Sequence, residues 1–204
     1  MTSLTDLLSA SATLHRKLCP RQVLGARIGL LVGLLLDLPL PQPEKRLIAI
    51  AETDGCFVDG ISAATGCYVG RRTLRVKDYG KTAATFVDSL TEGAIRIAPR
   101  SNIRELALAY APFARNKWEA QLIGYQHIPE DLLLDWQNVE LTTPIKQIIG
   151  QAGVRVNCDA CGEEIINQRE VIWESKTLCR ACAGQAYYVE MESKTLMLRG
   201  EGAR

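Results

Sequence analysis

The chain has 204 residues, with 24 Lys plus Arg against 23 Asp plus Glu and a formal net charge of +1. That balance removes the general electrostatic case for nucleic acid or an anionic membrane surface as partner. The length and a hydrophobic content of 47 % suffice for one buried core with a small appendage.

In chain order, Ser3-Leu-Thr-Asp6 predicts a helix start, with Leu4, Leu7, Leu8, Leu14 and Leu18 on one stripe. At its end His15 and Cys19 stand four apart, just before Pro20. That spacing suits two metal ligands, and it equally suits a capping histidine beside a packed thiol. A second helix is predicted over Arg21–Leu36, with Gly25, Gly29 and Gly33 every fourth residue. Such a stripe admits a second backbone closely, across a homodimer or within the chain's own core. The uncharged part of this helix, Ile28–Leu36, has nine residues, whereas a membrane span needs about twenty. It reads as the buried helix of a soluble protein. Pro39, Pro41 and Pro43 then make a stiff connection to an apolar strand, Leu47–Ala51.

That strand runs into Glu52-Thr-Asp54-Gly-Cys56, and a helix-forming stretch then reaches Cys67. A strand ending in a polar turn and a helix is a common way to place a site at a strand's carboxyl end. Beyond it, Thr73–Tyr79 and Thr82–Val87 read as two antiparallel strands around Gly80, and Gly93–Ala98 as a third strand ended by Pro99. Arg71, Arg72, Arg75 and Lys77 form either an anion-binding edge or a solvated strand face. Ser101 is expected to cap a helix reaching Arg115, with Trp118–Gln126 a further helix or strand. His127 has no partner motif and reads as a loop or interface residue. Asp131–Trp136 and Thr143–Ile149 read as short helices closing the core, and Gly150–Gly153 as the domain boundary.

The strongest motif on physical grounds is at the end. Cys158-Asp-Ala-Cys161 and Cys179-Arg-Ala-Cys182 are separated by seventeen residues. Each CxxC forms a knuckle whose thiolates supply two corners of a tetrahedron, which predicts a structural zinc in a zinc ribbon. Val171–Trp173 and Tyr187–Met191 are its expected strands. Paired CxxC motifs, and an N-terminus without the pattern of a signal peptide, point to a reducing cytoplasm. The predicted fold is therefore α+β: a core domain, residues 1–150, with a mixed or antiparallel sheet packed by helices, then a ribbon over residues 151–204.

Several of these segments, taken together, resemble the family of the E subunit of formylmethanofuran dehydrogenase. They are His15-x3-Cys19-Pro20, Glu52-Thr53-Asp54-Gly55-Cys56, Thr65-Gly66-Cys67 and Tyr79-Gly80-Lys81. The chain departs from the family pattern in carrying Lys17 in place of a frequent second histidine and Arg21 in place of a usual glycine. The resemblance implies a second metal ion, zinc, in the core cleft, with His15, Cys56 and Cys67 as ligands and Cys19 next. Asp54, Asp59 and Lys81 are then the proton-handling or anion-binding neighbours. It further implies a homodimer and a role accessory to, or paralogous with, one-carbon redox chemistry on formylmethanofuran and carbon dioxide, with oxidoreductase subunits as partners. The other class open at this point is a non-enzymatic dimeric module that uses its ribbon for protein or nucleic-acid contacts. Modest basic content around the ribbon weakens nucleic acid as partner.

Overall fold

The structure, a computed structural model, describes residues 2–189 and 191, apart from the side chains of Leu14 and His15. The chain divides between Ile148 and Ile149 into two compact units. The larger opens with α1, Leu4–His15, whose start is fixed by a capping box. Ser3 Oγ accepts from the Asp6 N–H at 3.2 Å, and the Ser3 N–H donates back to the Asp6 carboxylate at 3.3 Å. Helix α2, Pro20–Leu35, has proline at its first position, where no N–H is needed. Its N-cap, Cys19, donates its N–H to Gln22 Oε1 at 2.8 Å. Gln22 is fully buried, and its amide nitrogen reaches both Ser11 O at 3.0 Å and Ser11 Oγ at 2.9 Å. One buried amide thus locks the end of α1 to the start of α2.

Strand β1, Leu47–Ala51, leads into α3, Cys56–Thr65. The two helices α2 and α3 lie in intimate contact. A Cβ on Gly25 would collide with the Phe57 carbonyl, one on Gly60 with the Gln22 carbonyl, and one on Gly29 with the Ala64 side chain. The glycine stripe of α2 therefore packs inside the chain's own core, and it is not free to serve a second copy. Beneath this crossing lie the fully buried Ile28, Leu47, Phe57, Ile61 and Phe86.

The sheet completes the layer. Strands β2, Leu74–Val76, β3, Ala84–Asp88, β4, Ala94–Pro99, and β5, Leu134–Val139, join β1 in a five-stranded sheet of order β2-β1-β3-β4-β5. Pairing is parallel for β1 with β2 and antiparallel elsewhere, with Ala49 opposite Leu74 on one side and Phe86 on the other. The hairpin expected around Gly80 does not form. The chain instead wraps the end of β1, with the N–H groups of Tyr79 and Lys81 both donating to the Glu52 carbonyl, at 2.9 and 3.1 Å. Gly80, at φ +66°, makes the turn, and its N–H donates to Asp78 at 2.9 Å. An apolar β1 buried on both sides needs a neighbour on each, and this wrap supplies them.

Helix α4, Ile103–Tyr110, stops short of the expected Arg115, and α5, Lys117–His127, is the helical form of the element expected over Trp118–Gln126. Pro112 cannot continue a helix, and Asn116 restarts it by accepting from the Glu119 N–H at 2.9 Å. Ser101 is not a cap; the residue before α4 is Asn102. The C-terminus of α5 is held by a buried cation: the Arg27 guanidinium donates to Tyr125 O at 2.9 Å and Ile128 O at 3.0 Å. Burial holds Arg27 below the usual guanidinium range. His127, the last residue of α5, is exposed. Asp131–Trp136 is not a helix throughout: α6, Glu130–Leu133, gives way to edge strand β5, Leu134–Val139. Helix α7, Ile145–Ile149, follows. No helix among the described residues is long and apolar enough to cross a membrane.

The smaller unit is two short hairpins, β6 (Arg155–Asn157) with β7 (Glu164–Ile166), and β8 (Val171–Trp173) with β9 (Lys176–Leu178). Among its described residues the buried apolar cluster is slight, made of Cys158, Ile165 and Leu178. Tyr187–Val189 and Met191 do not form the expected strand, and Glu190 lies outside the described residues.

The contact of α2 with α3 generates the first prediction. Gly60→Ala should destabilise the larger unit by about 1–3 kcal/mol, since the added methyl meets backbone that cannot step aside. Gly70→Ala, with no atom within 4 Å, should stay within about 0.5 kcal/mol of the parent. Urea denaturation read by Trp118 and Trp136 fluorescence, in a Trp173→Phe background, makes the comparison.

Candidate functional site

Two clusters of sulfur stand out. In the smaller unit, the Sγ atoms of Cys158, Cys161, Cys179 and Cys182 all lie within 4.8 Å of one another. Four thiolates around one ion, each ~2.3 Å from it, are separated by about 3.8 Å, so this set fits a closed tetrahedral site. Each knuckle aims backbone N–H groups at sulfur: Cys179 N–H at Cys158 Sγ, 3.3 Å, and Cys182 N–H at Cys179 Sγ, 3.4 Å. Backbone donors from Cys161 and Cys179 hold the Cys158 thiol down to about 6, and the crowd of neighbouring thiols pushes Cys182 up to about 12. The first thiolate forms readily and the last is opposed by its neighbours, which is the electrostatic condition a bound cation relieves. This unit is a small cysteine-built domain compatible with a zinc ribbon, and the four residues could hold a metal ion.

The second cluster lies in the larger unit. Cys19 caps α2 and Cys56 opens α3. Their thiols interact directly, and burial together with the Cys19 thiol pushes Cys56 up. Both line a cleft of about 690 Å³, within the range of small-molecule sites. The helix contacts explain the meeting. Gly60 lies beside Gly25 and Ala64 beside Gly29, an offset of 35 residues in each case, so the helices run in the same direction with their N-termini together.

The other residues singled out in the sequence fall in different places. Lys81 lines the same cleft. Asp54 is exposed in the turn before α3, and Asp59, one turn into the helix, opposes ionisation of Cys56 by its charge; neither lines the cleft. His15 ends α1, and its side chain lies outside the described residues. Cys67 is not brought to Cys56. Helix α3 continues unbroken through Gly60 and ends at Gly66, so the reversal comes after the helix and leaves Cys67 about 16 Å along its axis, at ~1.5 Å per residue. There the thiol is buried and donates to Leu47 O at 3.3 Å, and burial pushes it up. Arg71 is spent on the carbonyls of Gly66 and Pro43, which removes it from an anion-binding edge on β2.

Sequence reasoning missed the far wall of the cleft. Arg96 on β4, Arg100 and Ser101 after it, Arg104 on α4, and Trp118, Gln121 and Tyr125 on α5 all line it. Arg96 forms a two-pronged ion pair with the buried Glu52, 2.5 and 2.7 Å, bracing β4 to the end of β1. Arg100 pairs with Asp135 at 2.8 Å. An Arg on β4 opposite a Glu that follows β1 carries no local signature, since the two are 44 residues apart.

The family model described as "FmdE, Molybdenum formylmethanofuran dehydrogenase operon" matches residues 14–143. A "Probable S-adenosyl-L-methionine-binding protein" of Archaeoglobus fulgidus is 27 % identical over 206 aligned positions, covering 92 % of this chain and 55 % of the relative. The chain thus spans little more than half that relative's length. Among solved structures, an FmdE-like protein from Syntrophus aciditrophicus, named for the tungsten formylmethanofuran dehydrogenase, matches with a TM-score of 0.58 at 22 % identity. That match covers 92 % of this chain and 96 % of the other, and it speaks for the fold alone.

So little buried apolar surface cannot hold the smaller unit without its thiolate site. Cys158→Ser or Cys182→Ser should abolish amide-exchange protection from Val154 to Leu178 and leave protection of β1, β3 and β4 unchanged. Equal protection of the smaller unit in variant and parent would show that the four thiols are not its structural centre.

Proposed function

The chain belongs to the FmdE family, and from that premise we propose a metal-binding protein whose core cleft holds its own metal ion and works in, or accessory to, one-carbon redox metabolism. In this reading zinc occupies the four thiolates of the smaller unit as a structural ion, with no open position. A second ion, also zinc, would be held by Cys56 with Cys19, and His15 is the further ligand the family resemblance implies. The observation that carries the reading is the meeting of the Cys19 and Cys56 thiols at two adjoining helix N-termini on the wall of a cleft. When bound there, such an ion would supply Lewis-acid chemistry. This chain's own contribution is a site walled by Lys81, Arg96 and Arg104, shaped by Trp118 and Tyr125. Oxidoreductase subunits, of the formylmethanofuran dehydrogenase type, are the partners that fit an accessory role.

S-adenosyl-L-methionine, the ligand in the name of the Archaeoglobus relative, carries a sulfonium cation. With its ammonium and carboxylate it is still net cationic, and a cleft lined among the described residues by five basic side chains and no carboxylate disfavours it; that ligand is not carried over. The second reading is a non-enzymatic dimeric module that binds a protein through the smaller unit, and the exposed Ile172, Trp173 and Tyr187 favour it.

Metal counting separates the two. The parent should carry two zinc equivalents by elemental mass spectrometry, and Cys56→Ala should carry one while keeping its fold and the metal of the smaller unit. Two equivalents retained by Cys56→Ala, or one in the parent, would overturn the core site and leave the binding module.

A further inference from the structure

The charge on the cleft wall is one-sided. Arg21, Lys81, Arg96, Arg100 and Arg104 all line it, and among the described residues no aspartate or glutamate does. Two of these cations are matched by carboxylates that face them from outside the lining: Glu52 holds Arg96, and Asp135 holds Arg100. Arg21, Lys81 and Arg104 are left as an excess of positive charge around one concavity, in a chain whose overall charge is only +1. Arg104 is exposed on α4 at the rim of the cleft, on the side of Tyr125, whose ionisation it favours.

The helices add to this field. The N-termini of α2, sixteen residues long, and α3, ten residues long, open on the same cleft, through Cys19 and Pro20 of one and Cys56 of the other. Two parallel helices end their unsatisfied N–H groups together, and each contributes a partial positive charge there. A wall of this kind, with apolar residues set among the cations, favours a ligand that carries negative charge at one end.

We propose that the cleft binds a small organic anion, a carboxylate or a phosphate ester, through Arg21, Lys81 and Arg104, with its uncharged part against Leu24, Ile103 and Trp118. The two thiols stand at the same wall, so an anion held by the three cations is presented to whatever Cys19 and Cys56 carry. The inference names the substrate class of the site proposed above and rests on that cleft being the functional one, but the binding of an anion does not itself require the second metal.

Calorimetric titration of the metal-loaded full chain with citrate and, separately, with glycerol 2-phosphate tests it; the first probes a carboxylate source and the second a phosphate source. We expect one saturable site per chain for at least one of them, weakening as salt rises from 0.05 to 0.5 M because the attraction is electrostatic. The pair Lys81→Gln and Arg104→Gln should lower the affinity at least about tenfold at unchanged metal content and unchanged melting temperature. Lys146→Gln, whose side chain pairs with Glu92 away from the cleft, should leave it unchanged. No saturable heat with either probe at 10 mM, or an affinity indifferent to the cleft substitutions, would overturn the proposal. Arg21→Gln keeps the test open if the double variant misfolds, since Arg21 is exposed at the second position of α2. Anion binding that survives in Cys56→Ala, with one metal equivalent lost, would uphold this inference independently of the metal's role. Two metal equivalents with no anion bound would reject this inference alone.

Discussion

The close contact of α2 with α3 is the constraint from which the rest of the larger unit follows. Helices with ordinary side chains between them lie 8–10 Å apart at their axes, and Gly25, Gly29 and Gly60 remove those side chains at the points of contact. What remains is backbone against backbone, with the Gln22 and Phe57 carbonyls where a Cβ would have to go. That fit admits one register. Shifted by a single residue, each glycine would be replaced at the contact by a side chain with nowhere to sit. The register in turn dictates that Cys19 and Cys56, at the N-terminal ends of the two helices, come together.

Around that pair the polar network has one arrangement as well. Gln22 ties the start of α2 to Ser11 on α1 while accepting from the Cys19 N–H. Glu52 does the corresponding work below α3. Its carbonyl takes the N–H groups of Tyr79 and Lys81, its own N–H donates to Ala83 O at 2.9 Å, and its carboxylate holds Arg96. A buried carboxylate is tolerable only when paired, and a guanidinium matches both of its oxygens at once. The same residue therefore ends β1, turns the chain towards β3, places Lys81 at the cleft and fixes the cationic wall on β4. A change at Glu52 would be felt at the site through three different groups.

Much of this was legible along the chain. The capping box at Ser3, the apolar β1, both helices at the contact and the CxxC pairs all announce themselves within a few residues, because caps, periodicity and ligand spacing are local properties. What could not be read locally was partnership. The glycine stripe of α2 allowed a facing helix in the same chain or in another copy, and only Gly60, thirty-five residues away, tells that the partner is internal. The strands after Gly80 carry alternation that fits a hairpin, but β1 is apolar along its whole length and demands a neighbour on each side. Burial of β1 outweighed the local turn signal, and β2 paired parallel to it.

The cleft shows the same division between local and distant signals. Its thiol side comes from motifs that a single segment reveals, Cys19-Pro20 and Glu52-Thr-Asp-Gly-Cys56. Its cationic side comes from β4, α4 and α5, where Arg96, Arg100 and Arg104 stand four apart and look like an ordinary solvated face. They become a wall only because Glu52 draws Arg96 inward and Arg27, buried in α2, holds the end of α5 against the helical layer through the carbonyls of Tyr125 and Ile128. Arg27 is thus a structural cation that carries no part of the cleft's charge, and Arg104 is a cleft cation that carries no part of the core. Two arginines of the same type are separated by what surrounds them: one is walled in by backbone carbonyls and loses its freedom to bind anything else, and the other stands exposed at the rim of the cleft and keeps it.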